Sequence, residues 1–459
     1  IIIKKLRTFK NMLLNIKPKK GSKKLINAWA FYDWANSVYS LVITTAIFPL
    51  YYAALFAENN MIFFMGYQIK NTAMISFLTA FAFVIISFIS PILAGIADFL
   101  GNKKRFMQFF VYLGSFSCIG LFWFNLENIY TGLFLYFLAL IGFWASLIFY
   151  NSYLPDVAYP EQQDKASARG YSLGYIGSVI LLLFNLSLIM QPDFYGISGT
   201  PQEARFYAMK ISFVCVGLWW LIFSQISFFY LPKGEKKTIG KKNIFFHGYR
   251  ELKSVYDLIK IDFSLKRFLS AFFVYSLALQ TIMLVAAYFG EEEIIWSSDQ
   301  EKTIGLIVSI LLIQVIAIFG AIIAARASIK FGNIPTLFVA NILWGLICIY
   351  AYYIHTPFQF YLVAGLVGMV MGGLQSTSRA TYSKYLPNTK DTASYFSFYG
   401  VTEKIAVVFG MTLFGLVDQI TGSMRLSVIF FMLFFLLGGF LILSINTKKG
   451  KFKNNKQLA

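Results

Sequence analysis

The stretch GIADFLGNKKR, residues 95–105, decides the fold. An apolar run ends at Asp98. Gly101 then permits a tight turn, and Lys103, Lys104 and Arg105 open the next apolar run facing the cytoplasm. Gly95 lies one turn before Asp98, where a missing side chain lets a second helix come close. The stretch reads as a short polar loop between two hydrophobic helices, with its positive charge kept on one side.

Outward from this loop the same pattern repeats. Of 459 residues, 58% are apolar, 13% are charged and fifty are Phe. That balance is one of a polytopic membrane protein, because a soluble chain of this length cannot hide so much hydrocarbon. A helix needs about 20 apolar residues to cross a bilayer. Twelve runs qualify, at 29–56, 73–98, 105–124, 130–153, 171–190, 210–231, 266–290, 303–326, 334–354, 358–382, 395–418 and 424–446. The expected fold class is therefore all-α, with twelve transmembrane helices in two six-helix bundles.

An even number of spans puts both termini on one side. Segments on that side hold 34 of the 40 Lys and Arg. The opposite loops hold Lys70, Arg205, Lys210, Lys302 and Arg425, and Lys404 falls within a span. The positive-inside rule makes the termini cytoplasmic. The net charge of +19 is thus a topology signal and an affinity for anionic lipid heads, not a nucleic-acid signature. The first 27 residues are polar and basic and do not resemble a cleavable leader.

The chain divides into a basic N-terminus (1–28), a first bundle (29–231), a linker (232–265), a second bundle (266–446) and a basic tail (447–459). In the linker, Phe245, Tyr249, Leu252, Tyr256 and Ile259 recur at helical spacing, which predicts an amphipathic helix on the inner membrane surface. The two bundles read as a repeat. Gly101 in FLGNKK and Gly332 in KFGN lie 231 positions apart, and Pro155 in YLPD and Pro387 in YLPN lie 232 apart. Parallel repeats of this kind place a substrate cavity between the halves.

The 95–105 loop resembles the loop signature of the major facilitator superfamily, with Phe99 where a basic residue usually follows the Asp. The resemblance implies an inner gate formed by Gly95, Asp98, Gly101 and Arg105, in which Asp98 meets the positive N-terminal end of span eleven. Arg379 stands at the inner end of span ten, where the other reading is a lipid-phosphate contact. The matching site in the second half has Ile329 in place of the Asp, which predicts a one-sided latch. A narrower resemblance rests on FYDWANSVYSLVITTAIFPLYY, NSYLPDVA, ARGYSLGYIGS and GGLQSTSRATYSKYLPN, and on FSFYGVTEKIAVVFG further on. These are similar to the branch containing the autophagy-related vacuolar amino-acid effluxers and their bacterial relatives. A bacterial inner membrane fits the short loops and cytoplasmic tails. In the superfamily, spans one, four, seven and ten line the cavity. Their polar and aromatic members here are Tyr39, Ser40, Thr44, Trp144, Asn151, Tyr275, Gln280, Gln375, Ser378 and Arg379.

Asp33 is the most conspicuous charge. With Asn36, Ser37, Ser40 and Thr44 it forms a polar stripe at helical spacing on span one. Three readings stand: a partner for a substrate amine or a proton, an ion pair at the inner gate, or an acid snorkelling to water. Glu403 and Lys404 lie two turns into span eleven. Neighbours on a helix point about 100° apart, so each is expected to need a partner elsewhere. Glu403 is then either a protonatable coupling group or part of an ion-pair network with Asp33, Asp98 or Arg379. Gln280 sits in mid-span and must bond across helices or meet substrate. Gly365, Gly368 and Gly372 give span ten a small-residue face.

The expected function is secondary transport of a small polar solute, with an amino acid implied by the resemblance and protons as a candidate coupling ion. An exporter of amphipathic compounds and a non-transporting sensor are the alternatives. No phosphate-cradling loop and no Ser–His or Cys–His constellation presents itself, so an enzyme is not expected. No cofactor, metal or nucleic acid is expected, and the chain is expected to act as a monomer.

Overall fold

The computed structural model describes residues 18–57, 61–64, 66–234 and 244–445. The basic segment 1–17, the tail 447–459 and the Phe245 side chain lie outside them. Among the described residues, twelve helices are long and apolar enough to cross a membrane. They are Lys23–Leu55, Asn71–Leu100, Lys103–Trp123, Ile129–Val157, Pro160–Met190 and Pro201–Tyr230 in the first half. In the second half they are Phe263–Glu292, Asp299–Phe331, Asn333–Tyr353, Pro357–Tyr385, Thr392–Thr421 and Met424–Leu443. Spans one to twelve below follow this order. The face carrying residues 18 and 445, the first and last described, is called the terminal face.

Local chemistry sets the helix ends. Thr200 and Glu203 form a capping box ahead of span six, and Thr356 and Gln359 form one ahead of span ten; each is followed by proline at the first helical position. Span two stops where Gly101 takes a left-handed φ of 60°, which returns the Gly101 and Asn102 N–H groups to Asp98 and Ala97. Several helices run well beyond their apolar runs. Span five begins at Pro160, eleven residues before its apolar stretch, and this polar extension carries Asp164 and Ser167. Span one is interrupted by a π-helical segment, Tyr39–Ile47.

Each half has its own core. One gathers Leu25 through Leu231, joined by Ala393. The other gathers Val255 through Ile445, joined by Tyr175. Spans eight and ten pack backbone against backbone. A Cβ on Gly368 or Gly372 would collide with the main chain of Ile313 or Ala317. On the face opposite the termini, Met61–Phe64 and Tyr67–Lys70 pair as an antiparallel hairpin.

The linker helix, Ile244–Ile261, forms as its periodicity predicts, but its buried face is rotated. Gly248, Val255 and Ile259 are buried, whereas Tyr249 and Tyr256 are exposed. The buried side of the helix faces spans two and eleven of the same chain. Gly248 abuts Gly95 and the Ile96 backbone of span two, and Tyr256 stacks on Phe398 of span eleven. Gly95 thus serves the docking of the linker.

Candidate functional site

The polar contacts between the two halves gather near the terminal face, and Arg379 is at their centre. It lies in span ten, six residues from its end, and is 2% exposed. A guanidinium has five N–H donors, and here all five are used on the other half. Nε donates to Ser167 Oγ at 2.9 Å. One terminal nitrogen donates to Asp33 Oδ2 at 3.1 Å and to Asn151 Oδ1 at 3.3 Å. The other donates to Asp33 Oδ2 at 3.1 Å and to the Ser167 carbonyl at 2.8 Å. The rings of Trp29, Tyr150 and Tyr171 surround the cation, with centroids 4.9, 5.5 and 4.2 Å from Cζ. Buried in this way, Arg379 makes a contact between the halves in place of the surface position that a lipid-phosphate contact requires.

Asp33, 5% exposed, completes the pair. It lies ten residues into span one, about 15 Å along the helix. Tyr150 donates to its Oδ2 at 2.7 Å. Gly170 of span five leaves room for the assembly, since a Cβ there would strike Asp33 and Arg379. Of the three readings of Asp33, the geometry is that of the ion pair between halves. The polar stripe of span one is split. Asp33 and Asn36 are buried, Ser40 is exposed and Thr44 is partly buried, because the π-helical turns from Tyr39 onward change the phase.

Nearer the terminal face, Asp98 accepts from the backbone N–H groups of Ala393 at 3.2 Å and Ser394 at 2.6 Å. Both donors are free because they lie in the first turn of span eleven, where the helix dipole also favours the carboxylate. Lys103 lies beside this contact, donating to Thr392 Oγ1 at 2.7 Å and pairing with Asp156. Lys104 is not at the solvent face. It is buried and donates to the Leu231 carbonyl at 2.9 Å. Arg105 is exposed, and Lys103 makes the inter-half contact expected of it. The latch is not one-sided either. Asp164 of span five accepts from Asn333 of span nine at 2.7 Å and pairs with Lys384 of span ten, which also donates to Asn333 at 2.9 Å. This second set uses no residue equivalent to Asp98, so the Ile329 substitution did not reveal it.

A second charged group lies in the middle of the molecule. Lys404 Nζ meets Glu403 Oε2 at 2.7 Å, so these adjacent residues do pair, contrary to the expectation from helix geometry. The long flexible side chains bend back toward each other, which gives the buried Lys404 an opposite charge. It is 3% exposed, with its ammonium 3.3 Å above the Trp144 ring centroid. Gln280 donates to Glu403 Oε1 at 2.8 Å, the cross-helix bond expected of it. Further inter-half bonds run from Tyr175 to Gln375 at 3.0 Å and from Ser167 to the Ser376 carbonyl at 2.7 Å. Within the second half, Tyr275 and Ser378 share a bond of 2.7 Å. Among the described residues, no group of three His, Cys, Asp or Glu is placed to hold a metal ion.

Sequence reasoning missed Tyr150, Asp164, Ser167 and Tyr171. The first two turns of span five look like a loop by hydropathy. The one available signal was the run of small residues around Ser167 and Gly170, which marks close helix approach.

Comparison with known proteins agrees with this architecture. The family described as "Vacuole effluxer Atg22 like" matches residues 21–455. The MFS-type transporter YxiO of Bacillus subtilis, itself uncharacterized, is 30% identical over 413 residues, 90% of this chain and 92% of that one. Autophagy-related protein 22 of Saccharomyces cerevisiae is 25% identical over 412 residues, 78% of this chain and 75% of that one. Among solved structures, the fucose:proton symporter FucP of E. coli superposes with a TM-score of 0.64 at 16% identity, covering 92% of this chain and 98% of that one. The proton:xylose symporter XylE superposes with a TM-score of 0.62 at 14% identity, covering 93% and 96%. Twelve spans in two packed halves and a family match over nearly the whole length lead to one conclusion: the chain is a membrane transporter of the major facilitator superfamily and belongs to the vacuole effluxer Atg22-like family.

Proposed function

We propose that this protein is a secondary transporter that moves a small polar solute, an amino acid, by alternating access in a bacterial inner membrane. The terminal face is then cytoplasmic, as the distribution of Lys and Arg argues, and the form described is closed on that side. One observation carries the reading: a buried arginine of one half spends all five donors on the other half. Such a contact holds one face shut. It must come apart when that face opens, which leaves two charges to be hydrated or re-paired. Asp33 and Arg379 are therefore the deep element of the inner gate. Asp98 with the start of span eleven, and Asp164 with Asn333 and Lys384, are its rim.

The amino-acid assignment rests on the resemblance of the sequence motifs to the amino-acid effluxer branch and on the matched positive and negative charges of Glu403 and Lys404. The test is counterflow in proteoliposomes. Vesicles loaded with pooled unlabelled amino acids are offered labelled members outside, with no ion gradient. Transient accumulation supports a carrier and, by splitting the pool, narrows the solute. No accumulation with folded protein refutes the amino-acid reading, and peptides and amphipathic cations are then tried.

A further inference from the structure

We propose that Glu403, Lys404, Gln280 and Trp144 form the head-group site for a zwitterion, with Glu403 taking the solute's ammonium and Lys404 its carboxylate. This rests on the transport reading and specifies its site. The pair lies within span eleven, and the inner-gate contacts do not use it.

The argument starts from charge balance. Glu403 and Lys404 neutralise each other at 2.7 Å, so the group as a whole carries no net charge. A solute with one charge takes one partner and strands the other in a poorly hydrated site, which is costly. A zwitterion replaces both at once. An α-amino acid holds its two charges one carbon apart, so it spans the pair without driving the residues far from their places.

Access is graded in the same sense. The Glu403 side chain is 20% exposed and Gln280 is partly exposed, whereas Lys404 is 3% exposed. The ammonium meets Glu403 first, with Gln280 keeping Oε1 in place through its 2.8 Å bond. Lys404 is then released toward the carboxylate. Its present resting place is the face of Trp144, which belongs to span four of the other half. Occupancy therefore trades a contact between the halves for a contact with solute. That couples recognition to movement, because the pair belongs to span eleven while the Trp144 ring that Lys404 leaves belongs to span four.

The experiment compares leucine, its methyl ester and its α-hydroxy analogue as competitors of labelled-solute counterflow. The proteins are wild type, Glu403→Gln, Lys404→Met and Lys404→Arg, each with unfolding temperature checked in detergent. Ratios between competitors within one variant do not depend on how much protein is active. In wild type, leucine is expected to compete at least tenfold better than either analogue. Lys404→Met is expected to bring the ester level with leucine, and Glu403→Gln to do so for the hydroxy acid. Lys404→Arg is expected to restore the preference over the ester. Unchanged ratios in both charge-removing variants, or equal changes for all three compounds, overturn the assignment while leaving transport intact. A wild-type protein that exchanges other solutes but no amino acid of the pool overturns the amino-acid reading, and this site with it.

Discussion

Replacing Arg379 by Met removes the cation and keeps much of the bulk that Trp29, Tyr150 and Tyr171 enclose. In the closed form Asp33 would keep one hydrogen bond, from Tyr150, and both Ser167 acceptors and Asn151 would lose their donors. Breaking a buried pair on one side costs about 3–5 kcal/mol. The cost falls mainly on the closed form, because opening the terminal face lets water reach Asp33. At about 1.4 kcal/mol per tenfold, the closed-to-open ratio should fall by roughly two to three and a half powers of ten. Removing both partners should cost far less, since an apolar residue opposite a neutral amide leaves no buried charge. Spin labels at positions 165 and 388, exposed at the terminal face on opposite halves, report the change as an inter-label distance. Wild type should give the short distance and Arg379→Met the long one. Asp33→Asn with Arg379→Met should return most of the short population. An unchanged distribution in the single variant, or a double variant as open as the single one, would refute the lock.

Asp98→Asn keeps the size but gives up the charge facing two backbone donors. A carboxylate at a helix N-terminus is worth about 0.3–1 kcal/mol, more when partly buried. Turnover in vesicles should change several-fold with insertion intact, and unchanged turnover removes Asp98 from the gate. Gly372→Val drives a branched side chain into the Ala317 backbone. Spans eight and ten should separate, seen as loss of a monodisperse peak or a strongly lowered unfolding temperature; a stable variant would mean the spans pack elsewhere. For topology, a cysteine at position 292 should react with an impermeant reagent from outside the cell and one at position 253 should not. The reverse pattern inverts the orientation.

Hydropathy and the offset of paired landmarks determined twelve spans and two halves without reference to any contact, and loop charge argued for cytoplasmic termini. These are sums over local segments, and a bilayer imposes them on each helix separately. The Asp98 contact was legible through the resemblance of residues 95–105 to the superfamily's loop signature, and the chemistry of helix ends accounts for it. A helix start always has free N–H groups, so a carboxylate ending one span has a ready partner at the beginning of another. The partner of Asp33 was not legible. Arg379 is 346 residues away, and only the rotation of span ten against spans one, four and five brings it there. Periodicity also failed at Glu403 and Lys404, because it describes where Cβ atoms point and not how far a buried, flexible side chain will bend to find an opposite charge. Hydropathy gave the length of the crossing. The tertiary structure decided which charges remain inside it, because their burial is tolerable only where packing brings every donor to an acceptor.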